Sequence, residues 1–149
     1  MMGLYLCVFD ENGDDIRGVE VGLYKYFEAF RSTVSKYTNK GLVSKVFRRK
    51  SKFSLQMTTL LNHSDCDGSW NVDECTQLKL ELQEIKQVFT NEPLDLSIIA
   101  LKEDIFKFYG IKPENLFECF IDSDCEFLID RLIDLCDLAI QINKPIIFQ

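Results

Sequence analysis

The chain has 149 residues, a length that suits one domain whose core needs no metal or disulfide to hold it. Its 46% hydrophobic share, with twelve Phe against three Pro, argues against disorder over most of the length. A net charge of −7 and a pI of 4.7 argue against nucleic-acid binding by the chain itself, and suit a basic protein partner.

Leu4–Phe9 is apolar on both alternating sets, as in a central strand covered on both faces. Asn12-Gly13 then predicts a tight hairpin turn with positive φ angles, returning through a strand from Ile16 to Val21. Leu23, Phe27, Phe30, Val34 and Tyr37 draw one helical stripe, which Gly41 ends. Between Lys36 and Lys52 stand seven basic residues and no acidic one, leaving ten basic against twenty-four acidic side chains elsewhere. The stretch Lys36–Lys52, which contains the basic loop Lys45–Lys52, is the positive pole of a chain otherwise near −14.

Phe53–Leu61 reads as a strand, leading into the polar turn Asn62–Trp70. Asn71 and Glu74 form a capping box, and Cys75, Leu78, Leu82, Ile85 and Phe89 are the core stripe of the helix behind it. Pro93 breaks that helix, and a third is expected from Leu96 to Tyr109, stopped at Gly110. Phe117–Asp122 fits either a short strand or a helical turn. Ser123 and Glu126 read as a second capping box before a helix that reaches Ile142 with two apolar stripes. Pro145–Gln149 closes the chain as a strand. The expectation is a single α+β domain over residues 1–149. Its small, mostly antiparallel sheet has an N-terminal hairpin and a C-terminal strand, packed by about four helices.

The N-terminus lacks a signal-peptide pattern and no apolar run reaches the ~18 residues of a membrane span, so a cytoplasmic setting with reduced thiols is expected. No C-x-x-C pair occurs among the six cysteines. The segment His63–Glu74 is the richest in chemistry. With Gly68 at the sixth place of a calcium loop, Asp65, Asp67, Ser69 and Glu74 fall at places three, five, seven and twelve, but His63 holds the first, where a carboxylate belongs. His63, Cys66 and Cys75, with Cys119 or Cys125, form an alternative zinc set, with spacings unlike those of known fingers. Asp65 and Asp67 could act as an acid/base or metal-holding pair, but neither a phosphate cradle nor a nucleophile elbow accompanies them. The chain therefore reads as a non-enzyme with no cofactor. Asp65, Asp67, Trp70 and Glu74, with a second acidic turn at Asp122 and Asp124, have the composition of a protein-binding patch built around an exposed Trp, while Trp70 equally fits a staple packed at the N′ end of its helix. One shared patch requires both turns to lie at the same end of the sheet.

Five blocks carry a resemblance: Gly3–Asp10, Gly18–Gly22, His63–Gly68, Cys119–Asp122 and Pro145–Gln149. In this order they resemble a family of bacterial immunity proteins from polymorphic-toxin systems, the family numbered seventy. The resemblance implies a cytoplasmic antidote that binds a cognate toxin domain without catalysis. The acidic bulk suits a basic toxin such as a nuclease. Lys40–Lys52 is longer and more basic than the family pattern, and Leu94–Lys112 matches none of its blocks.

Overall fold

The computed structural model describes residues 3–38, 51–64 and 67–149. Strands β1 (Gly3–Phe9) and β2 (Asp15–Leu23) form the opening hairpin. Its turn is looser than an Asn-Gly reading predicts, because within it only Gly13 takes a positive φ, +84°. Asp10 holds the loop instead, its carboxylate accepting from the backbone N–H of Asn12 at 2.8 Å and of Asp14 at 3.0 Å. The hairpin register slips after Leu4 and after Val8, which places bulges there.

The C-terminal strand β4 (Ile146–Phe148) pairs antiparallel with β1, and the two-residue β3 (Ser69–Trp70) pairs with β4. The sheet order is β2-β1-β4-β3, so β1 is central as its apolar run predicts. Only one face is fully covered, however. Leu4, Leu6, Val8, Val19, Val21, Ile146 and Phe148 join the helical core, whereas Tyr5, Phe9 and Ile147 stay half-buried.

The helical layer comprises α1 (Tyr24–Lys36), α2 (Thr58–Leu61), α3 (Val72–Thr90), α4 (Leu96–Leu101), α5 (Glu103–Phe108) and α6 (Leu128–Ile142), with a 3-10 turn at Phe117–Cys119. Six helices among the described residues replace the expected four, for two reasons. Phe53–Leu61 is not a strand: its first residues bend at Ser54 and Leu55, and Thr58–Leu61 is α2. The predicted helix Leu96–Tyr109 is broken at Lys102, whose φ of −128° leaves the helical range. Helices α3 and α6 run antiparallel, since Lys79 pairs with Asp137 at 2.5 Å and Lys86 with Asp130 at 2.6 Å. Their buried stripes (Cys75, Leu78, Leu82, Ile85 and Phe89 against Leu128, Leu132, Leu135 and Ala139) match the sequence periodicity. Among the described residues no helix is long and apolar enough to cross a membrane. The Gly41 stop and most of the basic loop, including Lys45, Arg48, Arg49 and Lys50, lie outside the described residues.

Candidate functional site

The turn before α3 is built inward. Asn71 accepts from the Glu74 backbone N–H at 2.8 Å while Glu74 accepts from that of Asn71 at 3.1 Å, so the predicted capping box forms and engages the Glu74 carboxylate. Of the two readings of Trp70, exposed anchor and staple, its full burial favours the second. It stands just before the cap, at the staple position. Its indole N–H donates to the Thr59 carbonyl at 3.3 Å, and its ring meets Phe148 edge-on at 4.7 Å. A ring of that size gains more from core burial than from water, and β3 pairing draws it under the sheet edge. Trp70 is a core residue in this fold.

His63 stacks on Phe148 at 4.2 Å, and its two ring nitrogens lie 2.7 Å from the Ser64 carbonyl and 2.9 Å from that of Ser69. Both nitrogens thus face backbone acceptors within the turn, and the ring acts as a clamp on the loop. Cys75 lies in the core, its thiol donating to the Trp70 carbonyl at 3.5 Å. The adjoining Cys75 thiol and burial push the Cys136 thiol up from its ordinary value, which keeps it unreactive. Among the described residues, no group of three or more His, Cys, Asp or Glu side chains is placed to hold a metal ion. Asp65 and Cys66, members of the acidic and zinc sets, lie outside the described residues; Asp67 is exposed.

The second acidic turn is also a structural device. Asp122 is fully buried, and its Oδ1 accepts from the backbone N–H of Asp124 at 2.9 Å and of Glu126 at 3.0 Å. Its Oδ2 has no hydrogen-bond partner but lies 3.4 Å from the Arg131 guanidinium Nε. The Ser123–Glu126 capping box does not form. Helix α6 begins only at Leu128, without a side-chain cap, because Asp122 has already closed the turn around Cys125, whose φ is +65°. The Lys102 ammonium arrives from the α4–α5 break and donates to the carbonyls of Ile121 at 2.6 Å and Val21 at 3.3 Å. Burial pushes its pKa down to about 8, opposed by the Asp122 charge. Asp124 stays exposed, 3.5 Å from Arg131 Nη2.

The two turns do not converge. Ser123 donates its backbone N–H to the Glu20 carbonyl of β2 at 2.8 Å, whereas Asp67 precedes β3. Since β2 and β3 are opposite edges of the sheet, the turns are separated by three strand spacings, roughly 14 Å. Among the described residues, the exposed carboxylates Asp67 and Asp124 thus belong to opposite edges of the sheet.

Exposed apolar surface gathers elsewhere. The described residues expose six large hydrophobic side chains, and Leu94, Leu96, Phe108 and Tyr109 supply four of them. Phe108 and Tyr109 stack edge-on at 4.9 Å. Leu94 and Leu96 border an open groove of about 420 Å³ that Tyr37 and Leu116 also line.

A model of the family described as Immunity protein 70 matches residues 4–148, which include both acidic turns and the α4–α5 segment. The chain belongs to the Immunity protein 70 family. No curated protein and no solved structure matches it. In this Immunity protein 70 chain the site members expected from sequence divide by exposure. Asp67 and Asp124 face solvent, whereas Trp70 and Asp122 are frame and Glu74 is half-buried in its cap. The aromatic pair Phe108–Tyr109 was not singled out from sequence. A signal existed: Phe106 and Phe108 are two apart on a helix, about 200° around its axis, so burying one turns the other outward.

Proposed function

We propose that this chain is a bacterial immunity protein that binds a cognate toxin domain and neutralises it by protein–protein contact, in the cytoplasm and without catalysis. The family match over residues 4–148 carries the reading. The fold is consistent with it, because three of the side chains that looked chemical in sequence serve as clamps and caps. His63 holds a loop, Glu74 a helix start and Asp122 a tight turn. A net charge of −7 favours a basic toxin, such as one that acts on nucleic acid, since opposite fields speed encounter. Asp67 and Asp124 are the exposed carboxylates of the two turns that would contribute to that steering. Co-expression with the toxin domain encoded beside the chain tests the reading. Cell survival and co-purification of a stable complex are expected; death of the cells under an active toxin, with no complex, overturns it.

A further inference from the structure

Phe108 is 82% exposed and Tyr109 62%, at the end of a short helix that closes at Gly110 with a φ of +64°. A Cβ placed on Gly110 would meet nothing within 4 Å, so the aromatic pair stands on a protruding tip and not in a cavity. The tip is held from beneath. Phe106 is buried in the same helix, the Ile111 N–H returns to the Phe106 carbonyl at 2.9 Å, and the Lys102 amine ties the start of the helix to two carbonyls. Adjacent aromatic rings on an anchored backbone lose little freedom on contact, and such residues dominate binding at protein interfaces.

Charge indicates the partner. Residues 92–114 carry five carboxylates, and with Lys102 buried only Lys107 and Lys112 oppose them at the surface. Lys107 is itself paired to Glu103 at 2.6 Å. Glu92 is paired in the same way to Lys52 at 2.5 Å, which leaves Asp95, Asp104 and Glu114 against Lys112, so the rim segment is net acidic. A second copy of the chain in a two-fold pairing would set this rim against itself, which like-charge repulsion disfavours.

We infer that the tip bearing Phe108 and Tyr109 is the anchor by which the chain grips its toxin, entering an apolar pocket rimmed by basic side chains. The inference rests on the immunity reading and names its contact. The test uses the full chain and the toxin domain encoded beside it, comparing wild type, Phe108→Ala/Tyr109→Ala and Leu80→Ser, an exposed apolar control on α3. The double variant is expected to keep the wild-type melting curve, to lose at least ~100-fold in affinity and to stop protecting cells, with Leu80→Ser unchanged. Hydrogen exchange on the wild-type complex is expected to show protection at residues 103–112, an answer that needs no substitution. Affinity of the double variant within about threefold of a protecting wild type overturns the anchor. So does a double variant that only dissociates a homodimer, which would make a second copy the occupant. If wild type itself neither binds nor protects, the immunity reading falls first and the anchor with it.

Discussion

At Gly18 the second strand has no room for a side chain, since a Cβ there would lie 2.0 Å from the Tyr5 hydroxyl. Tyr5 crosses over β2 to donate to Asp15 at 2.7 Å, and that bond together with burial pushes the phenol up to about 12. Gly18→Ala is therefore expected to lower unfolding free energy by about 1–3 kcal/mol in urea, and adding Tyr5→Ala should recover much of the loss. Equal costs in both backgrounds would place the effect elsewhere. Lys102 gives a pH signature. Its folded value, about 8, lies below the ordinary 10.5 because burial disfavours the ammonium. Below pH 8 the amine is charged in folded and unfolded states alike, and the cost of burying that charge is fully present. Between pH 8 and 10.5 the unfolded chain binds more protons, so this residue's contribution to stability rises with pH. Wild type should gain on Lys102→Met across that window; a pH-independent difference between the two would contradict the assignment.

Helix α2 shows how one element is made by another. Its N-terminus starts at Met57 in a left-handed conformation, with no side-chain cap of its own. Glu81 of α3, fully buried, accepts from the Thr59 and Leu60 backbone N–H groups at 3.3 and 3.1 Å and takes the place of a cap. Glu84, one turn on, accepts from the Leu55 N–H at 3.0 Å and from the Ser54 hydroxyl. These remote acceptors turn Phe53–Leu61 away from the strand that its local composition suggests. A hint stood in the sequence: Glu81 falls between Leu78, Leu82 and Ile85 on the core stripe, where a carboxylate needs donors. Glu81→Ala is expected to cost about 2–4 kcal/mol by urea denaturation, because two buried donors lose their acceptor and a void remains. Glu81→Gln, which keeps one acceptor oxygen, should cost less; the reverse order would rule out the capping role.

For the whole molecule, the separation of Asp67 and Asp124 onto opposite sheet edges leaves the proposed steering a shared field and not a shared pocket. Association with the toxin domain should slow as salt is raised from about 0.05 to 0.5 M, while dissociation changes little. Asp67→Asn with Asp124→Asn should lower the association rate and flatten the salt slope in stopped-flow measurements. A rate indifferent to both changes would remove electrostatic steering from the account.

Much of this architecture was legible from local pattern. The hairpin, the stripes of α1, α3 and α6, the Asn71–Glu74 cap and the C-terminal strand each depend on periodicity or on partners within four residues. The membership of the immunity family, shown by the match over residues 4–148, could likewise be read along the chain from a resemblance. Sequence could not decide which polar and aromatic groups face water. Asp122 looked like a surface residue because its neighbours in sequence are polar, and Trp70 could be read as an exposed anchor or a buried staple; the Asp122 turn and β3 pairing take both to full burial. Phe108 and Tyr109 fell unremarked in a predicted helix, and burial of Phe106 and the inward reach of Lys102 turn that tip outward. Exposure is set by contacts between segments far apart in the chain, such as Lys102 with Ile121 or Trp70 with Thr59, and it takes the tertiary structure to bring those together.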